Sequence, residues 1–267
     1  MHSFELHIGI DYSGALTATS RLPGLQVYAA TAGHPERVST PAAASTKIKN
    51  WTRQEIAHWL IAQARSGPRF IAGIDHGFSF PLSYFQRYRL ASWPEFLADF
   101  IQHWPTHGPH SSVDSIRRRD DRPPDRKGES TELRLAEKWT SSAKSVFWFD
   151  VQGSVAKSTH AGLPWLWSIR QEVGERVHFW PFDGWQVPDH KSVIAEVYPS
   201  IFRHRYPHED PTSPHGKRTA DEHDAYATAR WLAEMDARGF LERYFNPPLT
   251  DAERRVADLE GWILGIM

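Results

Sequence analysis

Residues 6–14 read LHIGIDYSG and residues 70–81 read FIAGIDHGFSFP, and the fold turns on these two stretches. In each, an apolar run of strand length ends in an acid, Asp11 or Asp75, and turn residues follow: Ser13 and Gly14 in the first, Gly77 and Pro81 in the second. Between them, LQVYAAT (25–31) and a weaker stretch at 37–40 predict two more strands, with Gly24 and the GlyHisPro at 33–35 as turns. Three consecutive strands predict an antiparallel meander. Thr52 with Glu55 three residues later has the form of a capping box, and Ile56, Trp59, Leu60 and Ala64 repeat at helical spacing up to Gly67.

Beyond Pro81 the spacing predicts a helical stretch over 82–104, with Phe96, Phe100 and Ile101 toward the core. Residues 111–128, SSVDSIRRRDDRPPDRKG, are almost without apolar side chains and rich in charge. They predict an exposed, mobile loop at about 110–129 within an insertion at about 82–145. Further helices are expected over 131–139, 163–172, 219–239 and 251–266, and strands in VFWFDV (146–151), RVHFWPF (176–182) and SVIAEVYP (192–199). The last of these carries a third strand-end acid, Glu196. No internal repeat is evident, and the expectation is a single α/β domain over 1–267: a mixed sheet of three antiparallel and then parallel strands, flanked by helices.

With 267 residues, 40% of them hydrophobic, the chain has ample material for a buried core. The 31 Lys and Arg are balanced by 32 Asp and Glu, so no global positive field draws in a polyanion, and any nucleic acid must be met by a local patch. The absence of cysteine excludes disulfides, thiolate metal sites and cysteine nucleophiles. No signal-peptide pattern opens the chain and no run approaches the roughly 18 apolar residues of a membrane span, so a cytoplasmic protein without membrane contact is expected. Clustered Trp and Pro, as in LPWLW, read as packing and turn punctuation.

The acids share an oddity: Asp11, Asp75, Glu196 and the pair Asp221 and Asp224 each lie against or at the end of an apolar segment, where isolated carboxylates are costly. Asp221 and Asp224 are three residues apart on a helix and project from nearly one face. A carboxylate cluster from different elements suits a hard cation such as Mg²⁺ or Mn²⁺ and lets the acids tolerate one another. Singly, each has a simpler account: Asp11 as a turn former, Asp221 as the N-cap of the last long helix, Glu196 as half of a salt bridge.

IGIDYSG, IAGIDHGFSFP, GLPWLWSIR, WPFDG followed by IAEVYPS, and DEHDAYATARW together span nearly the whole chain. In these motifs the sequence resembles the ribonuclease H-like predicted nucleases collected as domain of unknown function four-two-nine. The resemblance implies a ribonuclease H-like fold, with Asp11 as the first-strand acid, Asp75 as the acid ending the strand after the first helix, Asp224 with Asp221 as the acids of the final long helix, and Glu196 in the family's GluValTyrPro motif. Cellular ribonuclease H carries an acid on the first helix facing the site; here Glu55 lies in the first turn and reads as a cap. The function implied is a Mg²⁺- or Mn²⁺-dependent nuclease acting on DNA or RNA, with Asp11, Asp75, Glu196 and Asp224 catalytic and Asp221 a further ligand. A nucleotide-binding phosphotransferase or ATPase of the same fold is the alternative, although no glycine-rich phosphate loop is present beyond the turn at Tyr12 and Ser13. A catalytically silent binding protein is the third.

Other groups are weaker candidates. His76 follows Asp75 and could orient water or phosphate, and His223 sits between the two helix acids on another face. His103, His107 and His110 suggest zinc by spacing alone, but prolines and a glycine break the helix such a triad needs. Arg117, Arg118, Arg119 and Lys127, or Lys191 and Arg203 beside the Glu196 strand, could contact a phosphate backbone.

Overall fold

The computed structural model describes residues 4–31, 33–44, 48–118, 125–140, 142–210 and 216–267. Strands β1 (Leu6–Asp11), β2 (Gln26–Ala30), β3 (Glu36–Arg37), β4 (Phe70–Asp75), β5 (Val177–Trp180) and β6 (Ser192–Glu196) form one sheet in the order β3-β2-β1-β4-β6-β5. The first three pair antiparallel, and β4, β6 and β5 run parallel to β1. This is the mixed α/β sheet expected from the sequence. The helices of the described residues are α1 (Arg53–Ser66), α2 (Leu82–Tyr88), α3 (Trp93–His103), α4 (Val113–Arg117), α5 (Leu135–Trp139), α6 (Ala156–Val173), α7 (Ala220–Ala237), α8 (Leu241–Phe245) and α9 (Asp251–Glu260). None of these is long and apolar enough to cross a membrane.

Strand alternation divides the core in two. Ile8, Ile10, Ala72, Ile74 and Ile194 face one side, where α1, α3 and α6 cover them with Ile56, Leu60, Phe96, Phe100, Leu166 and Ile169. Ile71, Val193 and Ala195 face the other, against Trp231, Leu232 and Met235 of α7 and residues of α8 and α9.

The register of β1 on β4 sets Gly9 beside Gly73, Ile10 beside Ile74 and Asp11 beside Asp75. Two GlyIleAsp triplets of the sequence therefore lie side by side. The isoleucines enter the α1 and α6 core, and the glycines open the opposite face to α7. That helix lies so close that a Cβ on Gly9 would stand 2.1 Å from the carbonyl oxygen of Ala225 and 2.6 Å from the nitrogen of Ala229. A Cβ on Gly73 would meet side chains of Val197 and Thr228 at 2.7 and 2.8 Å. The far end of α7 is tied to the start of β1: Nε2 of buried His7 lies 2.9 Å from Oδ2 of buried Asp236, which also accepts from the Phe4 N–H at 2.9 Å.

Several elements differ from the sequence expectation, each for a local reason. The helix expected over 82–104 is two helices, broken where Arg89 adopts a left-handed conformation (φ 56°). The helix expected over 163–172 begins at Ala156 and runs through Pro164. The carbonyl of His160, left without the N–H that proline lacks, accepts instead from the Thr106 hydroxyl at 2.6 Å. VFWFDV is not a strand: the Trp148 N–H donates to the Ser145 carbonyl in a turn, and Phe147 packs on Phe80 and Tyr84. The segment expected helical over 131–139 turns helical only at Leu135, and the last helix stops at Gly261 (φ 76°). Of the charged loop at 110–129, residues 119–124, including Arg119, lie outside the described residues, while α4 occupies part of it.

Gly9→Ala drives a methyl group into α7 backbone that has no free rotamer to yield. Urea unfolding is expected to show a loss of about 2–3 kcal/mol, at the upper end of overpacking costs. An unchanged midpoint would contradict the close approach of α7.

Candidate metal centre

Asp11 and Asp75 close adjacent parallel strands, and each stands two residues beyond a glycine, on the α7 face. Helix α7 starts with Thr219, whose side chain accepts from the Glu222 N–H in a capping box. The cap is therefore Thr219, and Asp221 is free of the N-cap role its sequence position suggests. With Ala225 seated over Gly9, Asp224 is carried to the ends of both strands. One oxygen from each of Asp11, Asp75 and Asp224 lies within 4.8 Å of the others, and this is the sole three-residue group of potential metal ligands among the described residues.

All three acids resist ionisation. Burial raises Asp11 well above the usual carboxylate range, with Asp75, Asp221 and Asp224 adding repulsion. Burial, then Asp224 and Glu196, pushes Asp75 up to about 8. Burial also raises Asp224, opposed by the Arg203 guanidinium, whose Nη1 donates to its two oxygens at 2.8 and 3.1 Å. No hydrogen bond within the described residues engages the Asp11 or Asp75 carboxylate. Partly buried acids without donors are costly unless a cation completes them. Oxygen-only donors suit a hard divalent ion, whose bonds of about 2.1 Å span oxygens up to about 4.2 Å apart. A small closure of the three side chains would meet that span.

Glu196 stands apart from this group. It is in register with Ile74, not Asp75, and although it lines the same cleft it is outside the three-oxygen group. Arg134 binds both its oxygens, at 2.5 and 2.7 Å, and the Phe78 N–H donates to Oε2 at 2.8 Å. Arg134 is itself buried and also donates through Nε to Glu137 at 2.8 Å. Asp221 is exposed on the first turn of α7. It lines the same cleft and raises Asp11, but it is outside the three-oxygen group.

Asp11, Asp75, Glu196 and Asp221 line a cleft of about 460 Å³ whose walls also include Arg134, Lys144, Lys157 and Tyr198. Arg53, fully buried, shapes one wall by donating to the carbonyls of Ser13, Ala15 and Leu16 at 2.9, 2.7 and 3.0 Å, which holds the turn after Asp11. Lys157 is paired with Asp114 at 2.8 Å and Lys144 donates to the Gln152 carbonyl. Arg134, Glu137, Arg53 and the two lysines have no motif in the sequence. The one trace is Glu137 three residues after Arg134, the spacing of a cap.

The remaining candidates are engaged elsewhere. His76 is buried, its Nδ1 lies 2.9 Å from the Gly77 carbonyl, and burial lowers its pKa to about 4, so it is a neutral packing group against Tyr12. His223 lies 3.1 Å through Nε2 from the Arg203 carbonyl. His103 faces Asp99 and Asp125, and the three histidines at 103, 107 and 110 form no ligand group among the described residues. Arg117 pairs with Asp150, Arg118 with Asp114 and Lys191 with Glu175. Comparison with protein-family models, with curated proteins and with solved structures gives no match.

An acid whose folded pKa exceeds its unfolded value holds its proton more tightly in the native chain, so raising the pH between the two values removes stability. For Asp75 that window runs from 3.8 to about 8. In metal-free buffer the melting temperature is expected to fall from pH 5 to pH 8, and Asp75→Asn should flatten the slope; a flat wild-type profile would contradict the clustering. Arg134→Met leaves Glu196 and Glu137 buried without their cation. Its expected cost by denaturant unfolding is about 3–5 kcal/mol, and a cost below about 1 kcal/mol would contradict the pairing.

Proposed function

We propose that this chain is a ribonuclease H-like, divalent-metal-dependent nuclease of the family domain of unknown function four-two-nine, hydrolysing phosphodiester bonds of DNA or RNA. The observation that carries this reading is the convergence of Asp11, Asp75 and Asp224 within 4.8 Å, at the ends of neighbouring parallel strands. The strand order, three antiparallel strands beside parallel ones, supports it, as do the two lysines in the cleft wall. The three aspartates hold the cation, Mg²⁺ or Mn²⁺, and Asp221 extends the acidic lining toward solvent. Glu196 acts through structure: bound to Arg134, it fixes the Phe78 N–H and so the turn after Asp75. A bound divalent ion supplies Lewis acidity, making water nucleophilic near neutral pH and offsetting charge on the phosphate. The chain's own part is to present three oxygens at one point, to exclude other donors from Asp11 and Asp75, and to bring cationic side chains to the substrate's phosphates.

Purified protein with Mn²⁺ is expected to cleave at least one of labelled single-stranded, duplex, hybrid or branched substrates. Asp11→Asn should lower the rate by at least about 100-fold, the scale of losing one electrostatic partner in a catalytic site. Cleavage that persists in Asp11→Asn would contradict the assignment.

A further inference from the structure

Arg203 is held at two points by consecutive residues of α7. Its guanidinium lies on both oxygens of Asp224, and its backbone carbonyl lies 3.1 Å from Nε2 of His223. A carbonyl oxygen only accepts, so that nitrogen donates. The His208 ring stacks on His223 with centroids 3.5 Å apart, closing the other side of the imidazole. The backbone of Arg203 is thus anchored independently of where its side chain rests.

The side chain sits at the solvent edge: it is 43% exposed, against 15% for Asp224. Nη1 alone makes the contact, so the rest of the five-donor fork has no acceptor among the described residues. Arg203 is also the cation within electrostatic reach of Asp11, Asp75 and Asp224 alike. It therefore supplies, from outside, the positive charge that the three acids lack. A guanidinium on Asp224 and a divalent ion on the same oxygens exclude one another by charge and by space. A guanidinium beside an incoming phosphate is favoured by both, because its planar fork matches two phosphate oxygens.

The geometry points to an exchange of partners: Arg203 is the internal counter-ion of the carboxylate cluster, and it binds a phosphate oxygen of a phosphodiester substrate once Asp224 is given over to a divalent cation. This rests on the metal-site reading above and adds a positioning residue to it. Two opposite consequences follow. Without Arg203 the acids should take a cation more readily, and the loaded site should hold phosphate less well. A residue that merely stabilised α7 would not move the two affinities in opposite directions.

The test is calorimetric titration of the full chain with Mn²⁺ alone, followed by inorganic phosphate added to the Mn²⁺-saturated protein, for wild type, Arg203→Ala and Arg203→Lys. Wild type is expected to bind Mn²⁺. Arg203→Ala should bind Mn²⁺ at least about five-fold more tightly and phosphate at least about five-fold more weakly, the scale of one charged partner at a solvent edge. Arg203→Lys, which keeps the charge and loses the fork, should retain weak Mn²⁺ binding like wild type and lose part of the phosphate affinity. Equal or weaker Mn²⁺ binding by Arg203→Ala, or unchanged phosphate affinity, overturns the exchange and leaves the metal site standing. A wild type that binds no Mn²⁺ at millimolar concentration overturns the metal site itself, and the exchange with it.

Discussion

Helix α7 meets strands β1 and β4 almost backbone to backbone, and this contact fixes everything built at the ends of those strands. It exists because Gly9 has no side chain where Ala225 and Ala229 pass, and because Gly73 leaves the neighbouring space to Val197 and Thr228. At usual helix-on-sheet distance, Asp224 would stand well away from Asp11 and Asp75. The His7 and Asp236 pair secures the opposite end of α7, so the helix is fixed along its length and the position of Asp224 is a rigid consequence of packing. Small residues thus set the geometry that the acids use.

Taken alone, that geometry is electrostatically unfavourable, and two arginines moderate it. Arg134, buried, satisfies Glu196 and Glu137. Arg203, at the surface, contacts Asp224 on the α7 side. Among the described residues Asp11 and Asp75 have no donor, and burial raises both above the ordinary carboxylate range. Repulsion among acids is tolerated in a native structure where a ligand later offsets it, since strain at functional sites is sustained by the surrounding packing.

Much of this was legible in the sequence. The apolar runs ending in Asp11 and Asp75, the capping box at Thr52 and the helical spacing after Thr219 lead to the observed sheet and to three of the acids that converge. Glu196 looked equivalent because it too ends an apolar strand. It is outside the three-oxygen group because Arg134 takes both its oxygens and its register partner is Ile74, not Asp75, and a one-residue difference in register is invisible until the strands are aligned. Arg134 was illegible because its partner is 62 positions away and no periodicity announces such a contact. VFWFDV misled because aromatic residues favour strands and cores alike, and here the core took them. The earlier start of α6 was hidden because nothing near Pro164 in sequence shows that Thr106 would satisfy the buried His160 carbonyl.

The central claim is that Asp11, Asp75 and Asp224, and not Glu196, form one cation site. A crystal of the protein soaked in Mn²⁺ and measured at the manganese absorption edge tests it most directly. The expected result is an anomalous peak within bonding distance of those three carboxylates, with Glu196 still paired to Arg134. A peak bound by Glu196 in place of Asp224, or no peak among these acids at saturating Mn²⁺, would contradict it.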